Sequence, residues 1–131
     1  MSEALELAVV IPTFNELRNV PVLIAKLDAA LAGRRWEAIF VDDDSPDGTA
    51  QAARDLALRD ARVRVIQRIG RRGLSSACIE GICATAAPAV AVIDGDLQHD
   101  ETLLPQMLDA LQADGALDLV IGSDRKSTRL N

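Results

Sequence analysis

The residues of this sequence best suited to chemistry are acidic side chains in short clusters. Asp94 and Asp96 flank a glycine directly after an apolar segment, and Gln98 follows two positions later. Carboxylate and amide oxygens suit Mg2+ and Mn2+, which share their remaining positions with water and substrate phosphates. The spacing therefore predicts a divalent metal site, although two acids so spaced also occur in ordinary solvated turns.

A second cluster, Asp42-Asp43-Asp44, precedes the segment Ser45-Pro46-Asp47-Gly48-Thr49. Turn formation and helix capping explain the residues from Ser45 to Gly48, but they do not require three successive aspartates. A carboxylate at a strand end can accept a hydrogen bond from a nucleobase or a ribose hydroxyl, and Asp43 is the candidate for this role.

Two further titratable residues have competing interpretations. Glu16 is either a site residue or a first-turn acid favoured by the helix dipole. His99 is interpreted as a loop histidine rather than a catalytic group or a ligand. No glycine-rich phosphate loop follows Ile11. Phosphate charge would therefore be met by a metal on the Asp94–Asp96 pair, helped by one or more residues of the dense basic cluster, Arg68, Arg71 and Arg72.

These residues lie between apolar and amphipathic segments that alternate regularly. The pattern predicts an α/β fold with a mostly parallel, doubly wound sheet and helices on both faces. Asn19 is a plausible cap of the first helix. Ligands bind such sheets outside the carboxyl ends of the strands, so the acidic clusters are expected to converge at one edge. The predicted strands are Leu7 to Ile11, Ala38 to Val41, Val63 to Ile66, Ala89 to Ile93 and Leu117 to Ile121. The predicted helices are Val20 to Leu31, Thr49 to Leu58, Leu74 to Ala86 and Leu103 to Leu111.

Composition narrows the classes of function. A chain of 131 residues fits one domain, and its two Phe, one Trp and no Tyr predict an aliphatic core and no aromatic platform for single-stranded nucleic acid. The net charge of −6 disfavours general binding to polyanions. Cys78 and Cys83 are expected to point in different directions on a helix, as small buried thiols in a reducing cytoplasm.

Four motifs occur in an order typical of one family. They are Val10-Ile11-Pro12-Thr13-Phe14-Asn15-Glu16, Val41-Asp42-Asp43-Asp44-Ser45-Pro46-Asp47-Gly48-Thr49, Arg72-Gly73-Leu74 with Ile79-Glu80-Gly81, and Asp94-Gly95-Asp96-Leu97-Gln98-His99. Together they resemble glycosyltransferase family 2, in its polyprenyl (dolichol) phosphate mannosyltransferase branch. The resemblance extends from Leu7 to about Ser123.

The resemblance implies a GT-A fold and an inverting, metal-dependent transfer of a hexose, mannose from GDP-mannose, to a polyprenyl (dolichyl) phosphate. It implies Mg2+ or Mn2+ as cofactor. The site residues that it implies are Pro12, Phe14 and Glu16 in the nucleotide pocket, Val41 and Asp43 at the base, and Asp94, the backbone of Gly95, Asp96 and Gln98 around the metal and the diphosphate. Asp94 and Asp96 would thereby be the catalytic residues.

The chain departs from the family pattern in three places. Phe14 replaces a tyrosine, which removes a hydroxyl but keeps the ring. Gly95 replaces a commoner alanine, a harmless change if only the backbone is used. Asp124-Arg125-Lys126 follows Ser123 where the family has Arg-Tyr, so the arginine of the family is not assigned to Arg125.

Residues 1–124 are accordingly expected to form the N-terminal, nucleotide-sugar-binding part of a GT-A domain that is truncated at its C-terminus, and residues 125–131 a non-native or disordered tail. The expected partners are a nucleotide-sugar donor, a polyprenyl phosphate at the membrane surface, and a membrane-anchoring partner or missing C-terminal segment, without nucleic acid. We expect a cytoplasmic protein, peripheral at the cytoplasmic face of the membrane.

Three alternatives remain open. The enzyme could use another nucleotide sugar, such as UDP-glucose, or the chain could be an inactive, truncated fragment. A phospho-accepting receiver module has five alternating strands and an acidic run, but its acidic pair follows the first strand and a lysine follows the fifth. Here the acidic run follows the second predicted strand, and Lys126 lies in the tail.

Overall fold

A computed structural model of the protein describes residues 4–96, 101–113 and 119–121. Strands and helices alternate in the predicted order, which confirms the α/β class. The strands are β1 (Leu7–Thr13), β2 (Trp36–Asp42), β3 (Val63–Gln67), β4 (Val90–Val92) and β5 (Leu119–Ile121). The helices are α1 (Asn19–Ala30), α2 (Thr49–Arg59), α3 (Leu74–Cys83) and α4 (Leu104–Ala113), and a 3-10 turn (Glu101–Leu103) precedes α4.

The ends of several elements differ from the prediction. β1 and β2 extend to Thr13 and Asp42, so each strand carries a polar residue into the sheet, where both are buried. Their side chains can be buried because the Thr13 hydroxyl donates to Asp42 Oδ1 at 2.8 Å. α1 begins at Asn19 with Arg18 at the cap position, so the prediction of Asn19 as the cap is wrong.

The five strands form one sheet in the order β3-β2-β1-β4-β5, and every neighbouring pair is parallel. The chain passes from β1 to β3 on one side and then crosses back to place β4 on the other side of β1. The carboxyl ends of β1 and β4 therefore flank the topological switch point, where open α/β sheets bind ligands. The order also differs from the 2-1-3-4-5 order of receiver-type folds, which excludes that alternative.

Successive residues of β1 supply the two halves of the core. Leu7, Val9 and Ile11 pack with side chains of α1, α2 and α4 on one face of the sheet. Ala8 and Val10 pack on the other face, against α3. The core is aliphatic apart from Trp36 and Phe40, and helices cover both faces as predicted.

α3 lies unusually close to the sheet at Gly81. A Cβ at this position would lie 2.4 Å from Val10 Cγ1 and 3.2 Å from Val41 Cγ2. Both cysteines of α3 are free thiols, but Cys78 is only partly buried and Cys83 is exposed, so the expectation of two buried thiols is wrong. Within the described ranges, no helix has the length and apolar character needed to cross a bilayer.

Candidate functional site

Three loops meet at the carboxyl edge of the sheet. They are the first loop (residues 14–18), the second loop (43–48) and the fourth loop, of which residues 93–96 are described. β1 lies between β2 and β4, so the first loop lies between the other two. The Asp43 N–H donates to Thr13 O at 3.1 Å, and the Ile93 N–H donates to Val10 O at 3.0 Å. The predicted convergence at one edge is confirmed for these segments.

The second loop holds the first loop in place. Three consecutive backbone N–H groups each donate to a side chain: Asn15 to Ser45 Oγ (2.8 Å), Glu16 to Thr49 Oγ1 (3.0 Å) and Leu17 to Asp47 Oδ2 (3.2 Å). Sequence reasoning explained Ser45 and Asp47 by turn formation and capping alone. Asp47 does accept the Thr49 N–H at the start of α2 (3.0 Å), but its second oxygen fixes the neighbouring loop.

Asp43 is held by a buried arginine. Arg68 has a completely buried side chain, and its Nε donates to Asp43 Oδ1 at 2.7 Å. The Gly73 N–H donates to Asp43 Oδ2 at 3.0 Å. Burial acts to raise the pKa of Asp43, but these hydrogen bonds outweigh it and hold the pKa below its usual value. Each carboxylate oxygen has a further lone pair, so an ionised Asp43 can still accept a hydrogen bond from a ligand.

A cavity of about 210 Å3 opens beside Asp43. Its lining includes three of the predicted nucleotide-pocket residues, Pro12, Phe14 and Asp43, and it is completed by Thr13, Leu74 and Ala77. The volume is below the roughly 300–1,000 Å3 of pockets that enclose whole drug-sized ligands, so it suits a part of a nucleotide such as the base.

The structure places Val41 elsewhere. Its side chain is completely buried on the face of the sheet that α3 covers. A contact between Val41 and the base stays a prediction, and it would be made by the backbone of Val41.

The three arginines expected to meet phosphate charge have different roles. Arg68 is buried and also pairs with Glu80 at 3.0 Å, so its guanidinium is not available at the surface. Arg71 pairs with the same Glu80 at 2.9 Å. Arg72 is exposed, and its guanidinium lies 4.9 Å from the centroid of the Phe14 ring, a cation–π distance. Arg72 is therefore the member of the cluster best placed for a ligand.

Glu16 lies before α1 rather than in its first turn, so the helix-dipole interpretation is wrong. Its pKa is raised, chiefly by partial burial, and the charges of Asp96 and Asp94 add to the increase. A hydrogen bond from the Asn19 amide opposes them. The first and fourth loops therefore bring three carboxylates into electrostatic range of one another.

Gly95, between the two aspartates, packs directly against the first loop. A Cβ here would lie 2.8 Å from Thr13 Cγ2 and 3.2 Å from Glu16 Cγ. The Thr13 side chain is held by its hydrogen bond to Asp42, so it cannot move away freely. An alanine at this position would therefore crowd the first loop in this chain.

The donor set at this edge suits a divalent cation. In residues 4–96 and 101–113, no group of three or more His, Cys, Asp or Glu side chains is arranged to hold a metal by itself. Asp94 and Asp96 carry hard carboxylate oxygens of the kind that Mg2+ and Mn2+ bind together with water and phosphate. Their assignment as metal ligands stays a prediction. Gln98, the predicted neutral ligand, and His99 lie outside the described residues.

Comparison with solved structures defines the class of protein. The fold superposes with a TM-score of 0.71 on the mannosyltransferase PcManGT from Pyrobaculum calidifontis, whose structure contains GDP-Man and Mn2+; the sequences are 23% identical, over 86% of this chain and 34% of that one. The chain thus has the GT-A fold predicted from its motifs.

Sequence comparison identifies the family. The profile of glycosyl transferase family 2 matches residues 8–130, so the chain belongs to that family. It is 39% identical, over 119 residues, to the dolichol-phosphate mannosyltransferase of Pyrococcus furiosus, covering 91% of this chain and 33% of the relative. It is 36% identical, over 123 residues, to the dodecaprenyl-phosphate galacturonate synthase of Rhizobium johnstonii, covering 92% and 36%. The chain thus spans about a third of the length of these relatives.

Proposed function

We propose that this chain is the donor-binding part of an inverting glycosyltransferase that moves a hexose from a nucleoside diphosphate to a polyprenyl phosphate, with GDP-mannose as the donor. The observation that carries the proposal is the position of the Asp43 cavity and the Asp94–Asp96 turn at one edge of the sheet. The name of each of these two relatives includes a lipid phosphate, dolichol phosphate in one and dodecaprenyl phosphate in the other. These names support a lipid phosphate as the acceptor.

The cavity residues would bind the base of the donor. The exposed Phe14 ring offers an apolar face, and Asp43 offers an acceptor that Arg68 keeps ionised and oriented. Guanine presents two adjacent N–H donors on one edge, whereas uracil presents one. A carboxylate with two oxygens therefore favours guanine, and UDP sugars are the alternative that binding measurements distinguish.

The turn at Asp94 and Asp96 would hold the diphosphate of the donor through a divalent cation. Mn2+ or Mg2+ held there would offset the negative charge that develops on the departing nucleoside diphosphate. Arg72, beside Phe14, can add positive charge near the same group. The Mn2+ in the PcManGT structure supports this assignment, and the choice between the two metals is part of the test.

The transfer step needs little acid–base chemistry. An oxygen of the acceptor phosphate attacks the anomeric carbon of the sugar, the bond from that carbon to the diphosphate oxygen breaks, and the nucleoside diphosphate leaves with the electron pair. A phosphate monoester is already an anionic nucleophile at neutral pH, so no general base is needed to remove a proton. Positioning and charge stabilisation then provide the catalysis.

Calorimetric titration of the protein tests donor binding. We expect GDP to bind more tightly than UDP, and Mn2+ to strengthen GDP binding. Tighter binding of UDP would favour the alternative donor, and no binding of either nucleotide would contradict the proposal. Binding without transfer would support the view that this chain contains only the donor half.

A transfer assay of the full enzyme that contains this donor-binding part, with labelled GDP-mannose, polyprenyl phosphate and Mn2+ or Mg2+, tests the reaction. Asp96→Asn removes one charged ligand and should abolish transfer. Asp44→Asn is the matched control, because Asp44 is exposed and has a φ of +58° that asparagine also accepts. Equal activity of Asp96→Asn and wild type would exclude the metal role.

The lipid acceptor determines where the protein would act. We propose a peripheral position at the cytoplasmic face of the membrane, reached through the acceptor or through an anchoring segment or partner. Co-flotation with vesicles that contain polyprenyl phosphate, compared with vesicles that lack it, tests this position.

A further inference from the structure

Asn19 joins two loops of the candidate site. Its Nδ2 donates to Glu16 Oε2 at 3.0 Å and to Gly95 O at 2.9 Å. A primary amide has two N–H groups on this nitrogen, so both are used, one on each loop. Gly95 is 76 positions further along the chain than Asn19, so this is a tertiary contact between the start of α1 and the fourth loop.

The contact holds the turn that carries the two aspartates. The chain is fixed at Ile93 by a hydrogen bond to Val10 O in the sheet. Beyond that point, Gly95 packs on Thr13 and accepts the Asn19 amide. The turn between Asp94 and Asp96 is thus held at Gly95 in two ways. Gly95 packs against Thr13, and its carbonyl oxygen accepts a hydrogen bond from Asn19.

The same amide also donates to Glu16, which the negative charges of Asp94 and Asp96 repel. Beyond partial burial, the charges of Asp96 and Asp94 add to the raised pKa of Glu16, so like-charge repulsion opposes the approach of the two loops. A neutral donor that bonds to the Glu16 carboxylate and to the backbone of the opposing turn counteracts the separation.

We propose that Asn19 is a positioning residue that sets the placement of the Asp94–Asp96 carboxylates, and thereby the affinity for the divalent cation and the donor diphosphate. The inference rests on the proposed function, because it deepens the account of the same site. Asn19 touches neither donor nor cation in this role. It acts through Gly95 and Glu16, as groups outside the ligand sphere commonly do at metal sites.

The position of Asn19 allows this role to be separated from folding. It is the first residue of α1, and the apolar face of that helix is formed by Val20, Leu23, Ile24 and Leu27. Asn19→Ala removes both amide donors and leaves that face intact. Asn19→Ser is a second variant, because serine keeps a small polar side chain at the first position of α1 but is too short to bridge both loops.

The test compares metal-dependent with metal-free binding in the wild type and these variants. Mn2+ affinity is measured by electron paramagnetic resonance of free Mn2+ in the presence of GDP, and GDP affinity is measured by calorimetry in EDTA. We expect Asn19→Ala to weaken Mn2+ binding about tenfold, as loss of an outer partner does at other metal sites. GDP affinity in EDTA should change less than twofold.

The matched control is Asn15→Gly, which removes the same side chain four residues earlier. Asn15 is exposed, its φ of +56° suits glycine, and its hydrogen bond to Ser45 uses the backbone N–H. This variant should bind Mn2+ as the wild type does. An Asn19→Ala protein that binds Mn2+ normally, or that loses metal-free GDP binding to the same degree, would overturn the inference.

The two proposals can fail separately. Wild-type protein that binds neither GDP nor Mn2+ contradicts the proposed function and this inference with it. Wild-type protein that binds both, with Asn19→Ala and Asn19→Ser indistinguishable from it, contradicts only the role of Asn19. If Asn19→Ala does not fold, the same measurements on Asn19→Ser test the role of Asn19.

Discussion

Arg68 donates its Nε to Asp43 Oδ1 at 2.7 Å from a position that solvent does not reach. The same guanidinium donates to Ser76 Oγ, Glu80 Oε2 and Gly73 O at 2.8–3.0 Å. A buried cation is tolerated when its donors are used in this way. Arg68 therefore orients the carboxylate that lines the cavity and ties the second loop to the start of α3.

Removing this cation should destabilise the protein strongly. Arg68→Met leaves Asp43 and Glu80 without their buried partner, which typically costs about 3–5 kcal/mol. Arg71→Met is the matched control, since Arg71 is exposed and pairs with the same Glu80, and its loss should destabilise the protein far less. Urea unfolding measures both. Similar losses for the two variants would show that burial of Arg68 contributes little.

Gly95 should not accept a methyl group. Gly95→Ala places a Cβ 2.8 Å from Thr13 Cγ2, and such overpacking typically costs about 1–3 kcal/mol. The displaced turn should also bind Mn2+ more weakly. Thr13→Ser removes the opposing methyl but keeps the hydroxyl that donates to Asp42. The double variant should regain much of the stability lost by Gly95→Ala, as measured by thermal unfolding. A double variant with simply additive losses would argue against this contact.

Substitution of Asp47 in the second loop should destabilise the protein. One of its oxygens accepts the Leu17 N–H, and the other accepts the N–H and the hydroxyl of Thr49. Asp47→Asn replaces one acceptor with a donor that faces an N–H, and should cost about 1–2 kcal/mol. It should also weaken GDP binding, because the first loop carries Phe14.

The control for that substitution lies on α2. Asp55→Asn makes the same chemical change at an exposed residue, and should alter stability by less than about 0.5 kcal/mol. Chemical denaturation compares the two. Equal stability of both variants and the wild type would mean that the Asp47 contacts do not hold the loop.

Stability should depend on pH through Glu6. Hydrogen bonds from Gln112 and from the Arg35 backbone lower its pKa from 4.5 to about 2. A lowered folded-state pKa stabilises the ionised form, so the contribution is complete above about pH 4.5 and disappears as pH falls toward 2. Glu6→Gln should cost roughly 1–2 kcal/mol at pH 7.

Urea unfolding of the wild type and Glu6→Gln at pH 7, 4 and 2.5 measures this dependence. The difference between the two proteins should shrink as the pH falls. A difference that is constant across this range would show that the carboxylate charge is not the stabilising feature.

The sequence allowed the order of the elements to be predicted because apolar periodicity and turn residues are local properties. It also placed the acidic clusters after strands, and a parallel sheet brings the carboxyl ends of its strands to one edge. Asp43 was found in this way, whereas Pro12 and Phe14 followed from the resemblance to the family. The order of four short motifs identified the family, since each motif is contiguous in the chain.

The tertiary structure decided what the individual side chains do at that edge. Arg68 was interpreted as a phosphate-binding residue and Asn19 as a helix cap, and each has a different role in the fold. Their partners lie far away in the chain, at 25 positions for Arg68 with Asp43 and 76 for Asn19 with Gly95. A carboxamide or guanidinium bonds to whatever acceptor the fold brings within 3 Å. Local sequence therefore specifies the donor, and strand order and packing determine its acceptor.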